Sequence, residues 1–274
     1  MQNKNNADDL SANPKGKVKI RGARKLACEL SGTKNPRSPN PIKKQIKLHQ
    51  FPWTEKQKEF FKVALDFSTK IVFVNGPAGT AKTLLSVYCA LQLLNMKNVD
   101  DIMYLRSAVE SSDKSLGFLP GTAEEKLRFY NLPFLDKLDE LLLETKAEKL
   151  EEQNRISMFP VNFARGMNWK HKCIILDEAQ NSSIKEIVTV LTRMGEGSRC
   201  FVLADPMQTD LKSEVSQGGF ENLNKIFSDE ESAEMGVYTF SFTEEDIMRS
   251  ELVKFIVKKL EEEKRNGPNP KERG

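Results

Sequence analysis

The sequence predicts an α/β fold, a mostly parallel sheet with helices on both faces. Three observations predict it. Short apolar runs alternate with helical stretches between about residues 51 and 260, the order that crossover units require. The runs are continuous, as in Cys173-Ile174-Ile175-Leu176, which suits strands buried on both faces. The run Ile71-Val72-Phe73-Val74-Asn75 feeds a loop of small residues that opens onto an apolar-periodic stretch, Leu84 to Leu94.

Taken in order, residues 1–50 are rich in Asn, Pro, Lys, Gly and Ser and lack an apolar period. They read as a basic, largely disordered arm. Order is expected to begin at Phe51, with Thr54 capping a short helix whose apolar face is Phe60, Phe61, Ala64, Leu65 and Phe67. The strand at 71–75, the small-residue loop and its helix follow. A second strand is predicted at Ile102-Met103-Tyr104-Leu105, then a turn-rich loop from Ser115 to Thr122. A charged helical stretch from Ala123 to Gln153 is expected to break before Pro133, and its charge runs suit a solvated face. Further strands are predicted at 173–176, 200–203 and 237–242, with helices at 183–194 and 220–227. A last helix starts near Thr243 or Ser250 and fades into a Gly/Pro-rich tail at 266–274. The expected organisation is therefore arm (1–50), single domain (51–265) and tail (266–274).

At 274 residues, 39% hydrophobic and 30% charged, the chain has the make-up of a soluble globular protein. Its apolar runs fall far short of the ~20 residues a membrane span needs. The start, Gln2-Asn3-Lys4-Asn5-Asn6, has no apolar core for a signal peptide. Cys28, Cys89, Cys173 and Cys200 lie far apart without metal-site spacing. Cys89, Cys173 and Cys200 sit inside apolar runs, so reduced core thiols are expected there, and a cytoplasmic location with them. The net charge of +3 is uneven: residues 1–50 carry twelve Lys and Arg against three acids, a net of +9, leaving −6 on the remainder. A basic arm on an acidic body is a layout for touching phosphate backbones. A solubilising tail is the plainer alternative, because the arm has no Phe, Trp or Tyr to stack on bases.

The loop itself is Gly76-Pro77-Ala78-Gly79-Thr80-Ala81-Lys82-Thr83. Between a strand and a helix, its backbone N–H groups and the positive helix end would cradle a nucleoside polyphosphate. Lys82 would reach the β- and γ-phosphates, and Thr83 would place its hydroxyl on Mg²⁺. Ala81 stands where the pattern asks for glycine. If that position needs positive φ, alanine costs about 1–2 kcal/mol there.

The strand at 173–176 ends in Asp177-Glu178-Ala179-Gln180, at the carboxyl rim where α/β sheets bind ligands. Asp177 is placed to hold Mg²⁺ directly or through water, opposite Thr83. Glu178 is a candidate base for a water in line with the γ-phosphate. Gln180 would sense that phosphate or position the water. Helix capping is the bland alternative for an acidic pair after a strand. The next strand ends in Ala204-Asp205-Pro206-Met207-Gln208, which makes Gln208 a candidate γ-phosphate contact. Arg106, Arg165, Arg193 and Arg249 all lie near predicted element ends. Spacing does not choose which of them would stabilise transition-state charge.

From about Trp53 to Leu260 these residues resemble the PhoH-like ATPases, whose core is related to superfamily 1 helicases. The specific matches are Leu116-Gly117-Phe118-Leu119-Pro120-Gly121, Ile175 to Asn181, Leu191 to Ser198, and Phe242 to Arg249. The resemblance implies a RecA-like P-loop fold. It implies that Gln57 reads adenine, which biases the site towards ATP, and that Arg249 is the γ-phosphate arginine. It implies that Asp205 and Gln208 link the γ-phosphate to a nucleic-acid path passing near Arg106 to Glu110. It also implies a homo-oligomeric ring, a hexamer. Ala81 and Ser107 depart from the family's usual glycine and proline, as in a divergent branch such as those carried by bacteriophages.

The expected activity is Mg²⁺-dependent ATP hydrolysis coupled to RNA or single-stranded nucleic acid. The alternative is a nucleotide-dependent assembly or switch protein with little motor activity.

Overall fold

The computed structural model describes residues 45–106, 123–164, 168–205, 208 and 219–248, together with helical positions 252, 255, 256 and 259. Its elements are α1 (Glu55–Leu65), β1 (Ile71–Asn75), α2 (Lys82–Asn95), β2 (Asp101–Arg106), α3 (Ala123–Leu141), α4 (Ala147–Glu152), β3 (Ile156–Pro160), β4 (Lys172–Asp177), α5 (Ile184–Leu191), β5 (Arg199–Ala204), α6 (Gly219–Ile226), α7 (Glu230–Glu234) and β6 (Val237–Ser241). Among the described residues six strands form one sheet in the order β3-β2-β4-β5-β1-β6. Every pairing is parallel. This is the RecA-like P-loop arrangement: β5 lies between β1, which feeds the small-residue loop, and β4, which ends in the acidic pair.

Alternation along each strand divides the core. Val72 and Val74, Ile102 and Tyr104, Cys173 and Ile175, and Phe201 and Leu203 face one layer, with α1, α2 and α3. Phe73, Met103 and Leu105, Ile174 and Leu176, and Cys200 and Val202 face the other, against Ile187, Val190 and Phe220. Each fully buried Leu, Ile or Phe contributes about 1.5–3 kcal/mol. Burial on both faces is why the runs read as continuous. It also explains the thiols: Cys89, Cys173 and Cys200 are buried and free, and burial pushes Cys173 up to about 12.

Caps fix the helix starts. Thr54 and Gln57 form a capping box on α1, and Ser183 and Glu186 form one on α5, each worth about 1 kcal/mol. The end of α1 is closed from the sheet. The buried Arg199, on β5, donates to the carbonyl oxygens of Ala64 at 2.5 Å and Phe67 at 3.5 Å, satisfying acceptors the helix leaves open.

Several expectations move. The strands predicted near 71, 102, 173, 200 and 237 are present, each within about two residues of its expected bounds. β3 was not anticipated: Ile156-Ser157-Met158-Phe159-Pro160 is a short edge strand with a polar residue inside and a proline at its end. The expected break before Pro133 does not occur, because α3 continues through it. Proline removes one N–H donor, and the buried Phe134, Leu138 and Leu141 hold the following turns to the core. Order also extends below residue 51. Ile46 and Leu48 are buried, Leu48 bridges Leu142, and the backbone of Ile46 pairs with the Asn95 carboxamide. Two apolar residues are too short a period to stand out against a basic segment. Among the described residues no helix is long and apolar enough to cross a membrane.

Candidate functional site

The loop after β1 is shaped by close approaches. A Cβ on Gly76 would fall 2.8 Å from Cβ of Phe242 and 3.1 Å from its carbonyl oxygen. Gly79 has φ 88° and Ala81 has φ 63°. The position of Ala81 is therefore left-handed, and the alanine bears the cost foreseen for it. Thr80 Oγ1 donates to the Pro77 carbonyl at 2.9 Å and ties the loop across its base. Lys82 Nζ donates to the carbonyls of Gly76 at 2.7 Å and Pro77 at 2.9 Å. Burial lowers the Lys82 pKa, while Asp205, Asp177 and Glu178 act to raise it. The three carboxylates thus favour the charged ammonium.

Asp177, at the end of β4, is 6% exposed. Its Oδ2 accepts from Thr83 Oγ1 at 3.1 Å and from the Tyr104 hydroxyl at 2.7 Å. Its Oδ1 accepts from the Glu178 N–H at 3.0 Å and from Thr83 Oγ1 at 3.3 Å. Burial, and then Glu178, raise the Asp177 pKa; the hydrogen bonds from Tyr104 and the Glu178 backbone oppose that rise. A hydroxyl and a carboxylate converging at the head of α2 form the oxygen donor set that suits Mg²⁺. That ion takes one or two carboxylates together with phosphate oxygens rather than a cage of protein ligands.

Glu178 is also left-handed, at φ 55°. Its Oε2 accepts from Gln180 Nε2 at 2.6 Å, and its Oε1 lies 3.8 Å from Arg106. Gln180 ties β4 to β5: its Oε1 accepts from the Asp205 N–H at 3.1 Å and its Nε2 reaches the Gln208 carbonyl at 3.3 Å. Lys82, Thr83, Asp177, Glu178, Gln180, Asp205 and Gln208 line one cavity of about 490 Å³, within the range of ordinary ligand sites.

The structure thus gathers Lys82, Thr83, Asp177, Glu178, Gln180 and Gln208, with Ala78, Gly79 and Ala81 of the loop, on one wall system. Gln57 is elsewhere. It is 2% exposed and absent from the cavity lining, and its Oε1 accepts from the Thr54 N–H at 3.0 Å as part of the α1 cap. Of the four arginines, Arg106 stands beside Glu178. Arg193 does not line the cavity, and its Nε is buried without a hydrogen-bond partner among the described residues. Arg165, Arg249 and the segment Ser107 to Thr122 lie outside the described residues. The N–H of Met248 donates to the Gly79 carbonyl at 2.9 Å.

Three contributors went unanticipated: Tyr104, Lys137 and Glu140. Lys137 and Glu140 pair at 2.7 Å on α3 and line the cavity. Nothing in the sequence separates that pair from a solvated face. Tyr104 did leave a signal, a lone hydroxyl in an apolar strand whose buried oxygen must find a partner.

A family model described as PhoH-like protein matches residues 51–261. The chain is similar to a PhoH-like protein of Synechocystis sp., 34% identical over 215 residues, covering 78% of this chain and 63% of the relative. It is similar to a PhoH-like protein of Mycobacterium tuberculosis, 36% identical over 206 residues, covering 75% and 56%. The chain therefore spans less than two thirds of the length of these relatives. Among solved structures, it is similar to the large terminase of a thermophilic bacteriophage in complex with ADP. The TM-score is 0.47 at 12% identity, over 76% of this chain and 50% of that one.

Proposed function

The chain belongs to the family of PhoH-like proteins, and on that premise we propose that it hydrolyses ATP with Mg²⁺ at this cavity, coupled to RNA or single-stranded nucleic acid. One observation carries the reading. The loop's Lys82 and Thr83 and the strand-end pair Asp177 and Glu178, distant in sequence, line the same cavity, with Thr83 hydrogen-bonded to Asp177.

In this mechanism the loop N–H groups and Lys82 hold the β- and γ-phosphates. Thr83 and Asp177 would hold Mg²⁺, which would supply positive charge against the negative charge that develops on the phosphates. Glu178 accepts a proton from the attacking water. Gln180, hydrogen-bonded to Oε2 of Glu178, sets where that carboxylate points. Arg106 or Arg249 supplies positive charge to the transition state, and the basic arm supplies a phosphate-backbone contact. The preference for adenine through Gln57 and the assembly into a hexameric ring rest on the family resemblance.

Steady-state ATP hydrolysis with and without single-stranded RNA and DNA tests the reading. Stimulation by one polymer is expected. Glu178→Gln should lower turnover by about 10²–10⁴-fold while ATP still binds, and Lys82→Ala should weaken both. Unchanged turnover in Glu178→Gln removes the base assignment.

A second reading has its own observation. Glu178 is engaged by Gln180 at 2.6 Å and faced by Arg106 at 3.8 Å, so its carboxylate is occupied by protein groups. That favours a nucleotide-dependent assembly or switch protein with slow turnover. Hydrolysis indifferent to both polymers, with ATP-dependent assembly in sedimentation velocity, would select it.

A further inference from the structure

We infer that Tyr104 is a positioning residue that fixes the Asp177 carboxylate for cation binding, through its hydroxyl. The inference rests on the reading of Asp177 as a cation ligand. It begins with strand register. Tyr104 on β2 lies opposite Ile175 on β4, and Asp177 is two residues further along the same face. A same-face diagonal neighbour on the adjoining strand lies within reach of a long aromatic side chain. The phenolic oxygen accordingly donates to Asp177 Oδ2 at 2.7 Å, shorter than the bonds that carboxylate accepts from Thr83 and from the Glu178 N–H.

The ring that delivers the hydroxyl has little freedom. Tyr104 is fully buried and stacks on Phe134 of α3, with centroids 4.6 Å apart and planes at 16°. Packing alone would be served by phenylalanine. The hydroxyl adds a donor aimed at one oxygen of a carboxylate whose other oxygen is held by the Glu178 N–H. Together they fix the plane of the group. Partners of this kind behind a metal ligand commonly carry 10–100-fold of metal affinity.

The test is Mn²⁺ binding in the presence of ADP, followed by the electron paramagnetic resonance of free Mn²⁺, in wild type, Tyr104→Phe and Asp177→Asn. Tyr104→Phe is expected to lower Mn²⁺ affinity by about 10-fold or more while ADP affinity without metal stays at the wild-type value. A purely structural hydroxyl would lower the melting temperature and leave Mn²⁺ affinity alone. Wild-type Mn²⁺ affinity in Tyr104→Phe, with a fall in Asp177→Asn, overturns the role of Tyr104 and spares the cation site. Wild-type affinity in Asp177→Asn overturns the cation reading and this inference with it. Should Tyr104→Phe not fold, Phe134→Leu carries the test by loosening the ring while keeping the hydroxyl. Reduced Mn²⁺ affinity there supports the role, and unchanged affinity overturns it.

Discussion

Ala81 and Glu178 hold left-handed backbone on two sides of the cavity, at φ 63° and 55°. Such positions cost about 1–3 kcal/mol and persist where surrounding contacts over-determine them. The contacts are visible. The Lys82 ammonium binds the loop carbonyls of Gly76 and Pro77, and the Glu178 N–H is held by its neighbour Asp177. Ala81→Gly tests the cost. Glycine relieves about 1–2 kcal/mol of steric strain and gives back about 0.4–1 kcal/mol in unfolded-state entropy. A urea melt should therefore show a gain of up to about 1.5 kcal/mol, and a clear loss would mean the strain is not felt. The departure from the glycine pattern was legible in the sequence; the sign of φ was not, because it depends on where the loop is pinned. Gln57, to which the resemblance assigns adenine, also stands three residues after Thr54, and its side chain completes the capping box of α1.

At the scale of elements, the sheet's amino end carries a charged pair away from the cavity. Asp101 on β2 lies opposite Lys172 on β4 and forms an ion pair with it. Burial raises the Asp101 pKa despite Lys172, and one carboxylate oxygen, Oδ1, has no hydrogen-bond partner among the described residues. A folded-state pKa above the unfolded one means that the native state binds more protons in that window. The contribution of Asp101 is then full below the unfolded value and is lost as pH rises through the folded value. Asp101→Asn removes that loss, and Lys172, a quarter exposed, can turn to water. Relative to wild type, the variant should gain in urea melts from pH 4 to pH 7.5; a parallel pH profile would show that the group is not perturbed. The alternation of strands and helices was legible because it is local. β3 was hidden because an edge strand needs only one covered face and tolerates Ser157 and Pro160. The continuity of α3 through Pro133 was hidden because the apolar contacts of the following turns outweigh the missing N–H.

The whole molecule adds the arm to the body. Residues 1–50 carry a net +9, yet Ile46 and Leu48 belong to the core, so the proposed phosphate-backbone contact and the contribution to the core are predicted to divide near residue 45. Removing 1–44 should leave the urea midpoint in place and reduce the salt dependence of nucleic-acid affinity. Removing 1–50 should also cost about 3–6 kcal/mol, from two buried side chains at about 1.5–3 kcal/mol each. Equal stability in both truncations, or an unchanged salt slope, would refute the division. The parallel sheet, the small-residue loop after β1 and the acidic pair at a strand end were legible in the sequence, because each is written in contiguous residues with a local physical requirement. The strand order that sets β5 between β1 and β4, the left-handed backbone at Ala81, and the hydrogen bonds of Asp177 to Tyr104 and Thr83 emerged only from the folded chain. Those bonds join residues 73 and 94 positions apart, a separation at which no periodicity or motif constrains which side chains meet and packing alone selects the partners.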